Sequence, residues 1–417
     1  MKKVRLVLIS LLMFFAVTGC SNEDKNLLDK DDPTTIQVWH YYNGAQQEEF
    51  NRLVDEFNKT VGKEKGIIVE GSGQGTISDL ERNVLDSING KAGAADIPNI
   101  FAAYGDTAYQ VDKLGYAVDL NKYFSKDELS KYVDGYLEEG HFSSKDTLKI
   151  FPVAKSVELF MLNKTDWEKF ANATGASTND LNTIEGVTKV AEQYYNWTDS
   201  LTAAPNDGKA FFGRDAFANY MLVGYRQLAT DIFSKKDNKI VLNFEADIAK
   251  KLWDNYYVPY ISGYFSSSGK FRSDDIKIGN ILACVSSSSS VTYFPKEVIL
   301  NDEESHSIEL ETFACPKFKD GKDYVVQQGA GMVVLKSEEK EQQAAVEFLK
   351  WFTSDKQNIA FSNASGYLPV TKSANDLDKI TDEVEVNESV KKTLNTSLKM
   401  ISDNNMYTSV PFEKGTD

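Results

Sequence analysis

Residues 36–104 show a periodic pattern of apolar residues in which predicted strands alternate with predicted helices. Three segments rich in β-forming residues, 36–41, 67–69 and 97–104, predict strands. Between them, apolar residues recur at helical spacing over residues 50–57 and again over residues 77–88. This β-α-β-α-β order predicts an α/β fold with a parallel sheet, helices on both of its faces, and a binding crevice at the carboxyl ends of the strands.

The later part of the chain predicts a second block of strands and helices. A chain of 417 residues exceeds the size of a typical single hydrophobic core, so we expect two lobes. The apolar segments 159–162, 281–285 and 310–314 predict further strands. Residues 329–335 return to a buried-strand pattern, and Ser337 then caps a helix with one apolar face.

The chain begins with the pattern of a cleaved export signal. Lys2, Lys3 and Arg5 precede an apolar run over residues 7–17 that is too short to span a bilayer comfortably. Small residues follow, and then Cys20. The segment resembles the signal of a bacterial lipoprotein, in which this cysteine would take a diacylglyceryl group and become the new N-terminus. An ordinary secretory signal with an incidental cysteine is the alternative.

A polar stretch separates this signal from the patterned body. Residues 21–32 carry four Asp and one Glu and have no hydrophobic period, which indicates a flexible tether. We therefore predict a signal peptide over residues 1–19 and a lipidated tether over residues 20–33. The body would sit at the extracellular face of the cell membrane, held there by the lipid anchor.

Charge and residue spacing exclude several classes of function. The net charge is −16 and the acidic residues are scattered, whereas a nucleic-acid partner requires a basic face, so we predict no nucleic-acid binding. His40, His141 and His306 lie far apart and lack metal-ligand spacing, so we predict no metal site. Residues 71–75 lack the spacing of a dinucleotide fingerprint or a P-loop and predict a turn, and we expect no cofactor.

Besides Cys20, the chain has two cysteines, Cys284 and Cys315. An exported protein permits a disulfide between them. Both lie in apolar, strand-like surroundings, where two buried free thiols are at least as plausible as a bridge. The sequence leaves both possibilities open.

Several segments, taken in order, resemble the extracellular solute-binding proteins of ABC importers, in their sugar and glycerol-3-phosphate branch. The matching segments are Trp39-His40 after the first strand, helix 47–58, residues 98–100 and 152–164, Gly279-Asn280, and residues 329–331 and 366–370. The last of these reads Gly-Tyr-Leu-Pro-Val. The resemblance covers nearly the whole chain after the tether.

The resemblance implies a two-lobe periplasmic-binding-protein-like fold of type II. Each lobe would be a mostly parallel sheet flanked by helices, and hinge crossovers of the chain would join two lobes that close on a solute. The first lobe would hold residues 34–151 and 328–367, and the second residues 152–327 and 368–417. Relatives continue past the point at which this chain stops, so we expect its C-terminus to be truncated.

Residues that follow the predicted strands are the first candidates for a binding site. Tyr41 and Tyr42 follow the first strand, and Tyr104 and Asp106 follow the third, so all four would face the crevice. A saccharide presents a flat apolar face edged by hydroxyls, and tyrosine offers an aromatic platform together with a hydrogen-bonding group. A packing role is the alternative for each tyrosine.

The resemblance adds a second set of candidates. Positions at which relatives contact ligand correspond to Tyr104, Ser156, the loop Ser287-Ser288, the backbone at Gly329 and Gly331, and Tyr367. Glycine at such positions would let the main chain approach a solute closely. The serine run 286–290 comes directly after a strand, which favours a crevice loop over a linker.

Electrostatics favours a neutral solute. A phosphorylated solute entering a protein of net charge −16 would need a cluster of cationic side chains or amides at a helix N-terminus. Lys155 and Arg214 alone lie near plausible sites, and we expect both to be surface charges. The aromatic residue that glycerol-3-phosphate binders carry near the start of a second-lobe helix is not clearly matched in residues 213–217.

These observations predict a membrane-anchored extracellular protein that captures a carbohydrate, specifically an oligosaccharide. The protein would deliver this solute to the permease subunits of an ABC transporter. Glycerol-3-phosphate or a glycerophosphodiester is the alternative solute. We expect a monomer and no enzymatic activity, because the chain has no serine-nucleophile elbow and no zinc-protease motif. An exported glycosidase with two carboxylates, and a surface scaffold without a hinged crevice, are the rival classes.

Overall fold

The structure is a computed structural model of the 417-residue chain. It describes residues 27–228, 230–236, 239–376, 378–379 and 388–408. The predicted signal peptide, Cys20 and the start of the tether therefore lie outside the described residues. Within the described ranges, none of the helices combines the length and the apolar character needed to cross a membrane.

The strands of the described ranges alternate with helices along the chain. The strands are β1 (Thr34–His40), β2 (Ile67–Gly73), β3 (Ile100–Ala103), β4 (Ser156–Asn163), β5 (Phe212–Arg214), β6 (Phe233–Lys236), β7 (Lys239–Leu242), β8 (Ala283–Ser287), β9 (Glu297–Asn301), β10 (Glu304–Ser307), β11 (Leu310–Ala314), β12 (Tyr324–Gln328), β13 (Gly331–Val334) and β14 (Asn405–Tyr407). The α-helices are α1 (Gly44–Lys59), α2 (Val61–Lys65), α3 (Ile77–Ile88), α4 (Gly105–Lys113), α5 (Lys126–Leu129), α6 (Asp134–Glu138), α7 (Lys164–Thr174), α8 (Ile184–Asp199), α9 (Phe217–Leu228), α10 (Ala246–Asp254), α11 (Tyr257–Ile261), α12 (Arg272–Lys277), α13 (Glu339–Phe352), α14 (Asp355–Ser365) and α15 (Glu388–Asp403).

The first sheet has the strand order β13-β3-β1-β2 and is mostly parallel. Strand β1 runs parallel to both β2 and β3, and only β13 is antiparallel to its neighbour. The strands predicted at the start of the body are therefore confirmed, and so are the two helices between them. Phe50 and Phe57 of α1, and Leu80 and Val84 of α3, are buried as their spacing predicts, and Thr76 closes a capping box at the start of α3.

The second sheet has the order β14-β12-β4-β8-β5, and β11 also pairs with β4. Here β4 is antiparallel to β8, β11 and β12, whereas β5-β8 and β12-β14 are parallel. The expectation of a mostly parallel sheet is wrong for this sheet, although the α/β two-lobe class is confirmed. The physical reason lies in the path of the chain, because it enters this sheet through β4 and leaves through the neighbouring β12, which must run the opposite way.

Three crossover segments, residues 152–155, 329–330 and 366–368, lie side by side between the two sheets. The backbone groups of Lys155 and Leu368 exchange hydrogen bonds of 3.1 and 2.6 Å. Phe151 and Met332 likewise exchange two bonds of 2.8 Å, and Ser156 pairs with Gln328 in the ladder of β4 and β12. The crossovers therefore form a continuous hydrogen-bonded strip, as expected of a hinge made from several segments of the chain.

Each sheet has its own hydrophobic core. The core of the first sheet draws on residues 36–154 and 330–370 and includes Phe101 and Phe151. In the second sheet, successive residues of β4 point to opposite faces, so Leu159 packs in one cluster and Phe160 in another. Burial of these faces from water is the main favourable contribution to folding each lobe.

The structure also answers the question left open for the two cysteines. Cys284 lies in β8 and Cys315 directly follows β11, and both are free thiols. Strand β4 pairs with β8 on one side and with β11 on the other. Two strand spacings of about 4.8 Å therefore separate the cysteines, which is beyond the Cα reach of a disulfide.

Candidate functional site

The loops that follow the strands of the first sheet face the start of the second sheet. Tyr41 follows β1 and Tyr104 follows β3, at the carboxyl ends of these parallel strands. Ser156 begins β4, and Ser287 ends the antiparallel β8, so both lie at the same edge of the second sheet. Tyr367 belongs to the third crossover. We call Tyr41, Tyr104, Ser156, Ser287, Ser289 and Tyr367 the crevice cluster.

The hydroxyl groups of the crevice cluster form a connected series. The Tyr41 hydroxyl lies 3.5 Å from that of Tyr367 and also bonds to Tyr104. Tyr367 in turn bonds to Ser289. The Ser287 Oγ lies 2.9 Å from the Oγ of Ser289, and it donates to the Ser156 Oγ over 3.0 Å. The series therefore joins loops of the first sheet to the edge of the second.

The three tyrosines in the crevice cluster are uncharged, and burial reinforces this. Desolvation raises the pKa of Tyr41, Tyr104 and Tyr367 well above the ordinary value for tyrosine. All three hydroxyls are therefore protonated at neutral pH, and each can donate one hydrogen bond and accept others. Tyr104 still exposes 36% of its surface, so its ring is open to a solute while its hydroxyl contacts Tyr41.

Other predicted ligand-binding residues occupy different places. Tyr42 is 5% exposed and packs in the first core, with its ring against those of His40, Phe50 and Phe361. Ser288 is fully buried, and its Oγ lies 3.5 Å from the Gly366 carbonyl oxygen. These side chains hold the crevice loops in place from behind. Asp106, in the first turn of α4, accepts the N–H of Thr107 over 2.9 Å.

The two predicted glycines allow the crossovers to pack closely. Gly329 has φ of +90°, and a Cβ there would lie 2.7 Å from the Ala154 carbonyl oxygen and 3.4 Å from the Tyr367 ring. A Cβ at Gly331 would lie 2.3 Å from the Ile150 side chain. Gly329 therefore lies directly beside the crevice cluster, whereas Gly331 packs against the neighbouring crossover.

Lys155 and Arg214 are buried, and the expectation that they are surface charges is wrong. The Lys155 ammonium is fully buried, forms an ion pair with Glu139, and donates to the Gly329 carbonyl oxygen over 2.8 Å. Arg214 donates to Glu158 over 2.6 Å, and both side chains are 5% exposed. A buried charge requires a partner, and partners distant in the sequence supply it here.

Sequence reasoning missed two aromatic residues near the crevice. Phe217 is the first residue of α9, remains 51% exposed, and has its ring centroid 5.0 Å from that of Tyr256. Tyr293 is also 51% exposed, and its hydroxyl lies 3.5 Å from the Oδ1 of Asn43 in the loop after β1. The signal for Phe217 was an aromatic residue three positions after the end of β5, since crevice residues are expected after strand ends.

The chemistry of this crevice suits reversible binding of a polar organic molecule. It offers hydroxyl donors and acceptors, aromatic rings, and no cation that lacks a partner among the residues discussed above. In the described ranges, no group of three or more His, Cys, Asp or Glu residues is arranged to hold a metal ion. Two α/β lobes joined by crossovers, with such a crevice at the joint, define a protein that encloses a ligand between its lobes.

The chain belongs to the family of bacterial extracellular solute-binding proteins. The sequence profile of this family matches residues 52–388, which include most of both sheets and all of the crossovers. A comparison with curated protein sequences gave no match.

Solved structures of solute-binding proteins share the fold. The cyclic α-maltosyl-1,6-maltose binding protein of Arthrobacter globiformis is 18% identical, with a TM-score of 0.69 over 91% of this chain and 89% of that one. UgpB of Mycobacterium tuberculosis, in complex with glycerophosphocholine, is 16% identical, with a TM-score of 0.69 over 90% and 88%. The maltose/maltodextrin-binding domain MalE of Bdellovibrio bacteriovorus, bound to maltotriose, is 13% identical, with a TM-score of 0.64 over 91% and 89%.

Proposed function

We propose that the protein binds a neutral saccharide in the crevice and passes it to the permease of an ABC transporter. The crevice cluster carries this proposal. Its protonated tyrosines and its serines present donors and acceptors at facing edges of the two lobes, and Tyr104 and Phe217 leave aromatic surface open beside them. An apolar ring face edged by hydroxyls is complementary to that combination of groups.

The pairing of the nearby cations argues against a phosphorylated solute. Lys155 bonds to Glu139 and Gly329, and Arg214 bonds to Glu158, so neither has a free charge to offer. Freeing either one for a phosphate would leave a buried carboxylate without its partner, which is costly. A neutral solute requires no such rearrangement.

The comparisons support a saccharide and keep one alternative. Two of the structures named above are of binding proteins for maltose-type sugars, and one is a complex with glycerophosphocholine. Glycerophosphocholine is zwitterionic, and its choline group would suit open aromatic faces such as Tyr104 and Phe217. A glycerophosphodiester, or glycerol-3-phosphate, is therefore the second candidate solute.

We further propose that Cys20 is lipidated and holds the monomeric protein at the outer face of the cell membrane, with residues 20–33 as its tether. The motif Val17-Thr18-Gly19-Cys20 after a short apolar run supports this anchor. Residues 34–151 with 328–367 would form one moving lobe, and residues 152–327 with 368–417 the other. A tethered binder near its permease raises the local concentration of the loaded form.

Calorimetry with four defined solutes tests the proposed solute class. Maltotriose, mannotriose, glycerophosphocholine and glycerol-3-phosphate are each titrated into the protein at low and at high salt. We expect a saccharide to bind with an affinity that is insensitive to salt, because no ion pair forms. Chromatography of the recovered saccharide should show it unchanged. Salt-sensitive binding of a glycerophosphate together with no saccharide binding would overturn the proposal, and cleavage of the saccharide would overturn the assignment as a binder.

A further inference from the structure

We propose that the second lobe has a second saccharide site, remote from the crevice. A pocket of about 280 Å³ opens between the end of β4, helices α7 and α8, and the β9-β10 hairpin. We call it the distal pocket. The residues on which the argument depends are Asp166, Trp197, Leu201, Asp207, Lys209 and Leu300.

The distal pocket cannot be an extension of the crevice. Asn163, the last residue of β4, lines the distal pocket, whereas Ser156, the first residue of β4, belongs to the crevice cluster. Seven residue steps along an extended strand separate these two residues by about 23 Å. Leu282, which precedes β8, also lines the pocket, while Ser287 at the end of β8 lies in the crevice.

One wall of the distal pocket is apolar and open. Trp197 is half-buried, and its ring packs against Phe170 and Tyr194 beneath it. Leu201 exposes 65% of its surface and Leu300 exposes 40%. Both residues line the pocket. Apolar side chains left open in a concavity are a feature of ligand pockets.

The polar groups of the pocket balance in charge. Asp166 accepts from His306 over 2.9 Å and from Lys169 over 2.7 Å. Asp207 accepts from the Thr202 hydroxyl over 2.5 Å, and the Lys209 ammonium forms no ion pair with any residue that the structure describes. The two carboxylates and the two ammonium groups of the lining therefore cancel, apart from the histidine.

Asp166 retains its negative charge in this setting. Burial acts to raise the pKa of Asp166, but hydrogen bonds from Lys169, His306 and Asn163 outweigh it and lower the pKa. The carboxylate is therefore saturated with donors from the protein. Asp207 and Lys209, which stand two residues apart at the exposed rim, offer an acceptor and a donor to a ligand.

A neutral sugar ring fits these groups better than an ion does. A balanced lining gives no net attraction to a charged ligand. An aromatic and aliphatic wall beside one acceptor and one donor matches the apolar face and edge hydroxyls of a pyranose. The inference takes its ligand class from the proposed function, but it concerns a different site, so each can fail while the other holds.

Methyl-group NMR separates the two sites in the intact protein. The methyl groups of Leu201 and Leu300 report on the distal pocket, and those of Val291, which lies near Gly366 behind the crevice, report on the crevice. Maltotriose and mannotriose are titrated into the millimolar range. We expect the leucine signals to shift along a weak isotherm of their own, separate from that of Val291.

A charge-removing variant tests the site directly. The substitutions Asp207→Asn and Lys209→Met, combined, should weaken binding at the leucine reporters about tenfold or more and leave the Val291 isotherm unchanged. The pair Asp55→Asn and Lys59→Met on α1 removes an equally exposed acid and base elsewhere and should change neither isotherm. Leu201→Ser, which removes open apolar surface without touching the core, should weaken the leucine-reported binding as well, read out at Leu300.

Four outcomes would overturn the proposal. Leucine signals that stay in place while Val291 shifts would show one saccharide site and no second one. An isotherm that the double variant does not change would show that the rim is not involved. A stronger response of the leucines to cyclohexanecarboxylate, a carboxylate of ring size, than to either trisaccharide would show that the pocket prefers an apolar anion. If neither reporter responds to any saccharide, the proposed function fails as well.

Discussion

The hydroxyl oxygens of Tyr41 and Tyr367 lie 3.5 Å apart, although 326 positions separate the two residues in the sequence. Tyr41 follows the first strand, and Tyr367 lies in the last crossover and bonds onward to Ser289 in the second lobe. Tyr367 therefore contacts both sides of the crevice. A solute that replaces one of these hydroxyl contacts would contact both lobes at once. Binding of the solute would therefore favour closure of the lobes.

Removing the Tyr367 ring should weaken saccharide binding more than removing any other single tyrosine of the crevice cluster. Tyr367→Ala deletes a buried aromatic surface and the hydroxyl that joins Tyr41 to Ser289. The loss should be on the order of 1 to 3 kcal/mol, or about tenfold to a hundredfold in dissociation constant by calorimetry.

Two further variants serve as controls for Tyr367→Ala. Tyr367→Phe keeps the ring and should lose less affinity than the alanine variant. Tyr260→Ala removes an exposed tyrosine of α11 and should leave the affinity unchanged. Equal affinity of wild type and Tyr367→Ala would exclude this residue from the site.

Breaking the ion pair between Lys155 and Glu139 should destabilise the protein. It should not remove a phosphate-binding site, because Lys155 has no free charge to offer a phosphate. Lys155→Met leaves the largely buried Glu139 carboxylate without its cation, with only the Gln327 amide still donating to it, and also removes the bond to Gly329. The free energy of unfolding should fall by about 3 to 5 kcal/mol in urea titrations. Adding Glu139→Gln should restore part of it, since no charge is then left unpaired. If the double variant is as unstable as the single one, the ion pair is not the cause.

The strand and helix order could be predicted from the sequence, but strand partners could not. Periodicity identified β1, β2 and β3 because each local pattern depends only on burial of one face. The antiparallel pairing of β4 with β12 depends on two segments more than 160 positions apart, Val157 with Gln327, and no local pattern records it. The mostly parallel second sheet came from the resemblance, and no local pattern in the sequence could correct it.

The residues of the candidate site likewise fall into those that the sequence alone could predict and those that it could not. Tyr41 and Tyr104 follow from the rule that crevices form at the carboxyl ends of parallel strands. Ser156 and Tyr367 needed the resemblance, because their proximity arises only when the crossovers align. The burial of Arg214 was missed since its partner, Glu158, is 56 positions away, and a cation with a distant partner cannot be distinguished from a surface charge in the sequence.

Replacement of Cys20 should release the protein from the membrane. Cys20 lies outside the described residues, and the expectation rests on its position after Gly19 at the end of the signal pattern. Cys20→Ala should move the protein from the membrane fraction to the soluble fraction or the medium, while the wild type stays with the membrane after a high-salt wash. Stable anchoring needs more than one acyl chain, so metabolic labelling with palmitate should mark only the wild type. A variant that still sediments with membranes would contradict the anchor.

Mild acid should destabilise the first lobe through His40. This histidine is 1% exposed, its Nδ1 accepts the N–H of Tyr42, and burial lowers its pKa from 6.5 to about 4. Because the unfolded chain binds the proton more readily, the stabilising contribution is complete above pH 6.5 and is lost as the pH falls towards 4. At pH 5 the loss should be on the order of 2 kcal/mol.

Comparing the wild type with His40→Gln isolates this effect from the titration of carboxylates. Urea unfolding at pH 7.5 and at pH 5 gives four free energies. The drop on acidification should be smaller in the variant, by about the 2 kcal/mol that His40 contributes, since glutamine does not titrate in this range. His141→Gln, at a less buried histidine whose Nδ1 lies 2.7 Å from the Thr147 carbonyl oxygen, is measured in the same way as a second histidine variant for comparison. Equal drops in the wild type and His40→Gln would show that His40 does not sense pH in the folded protein.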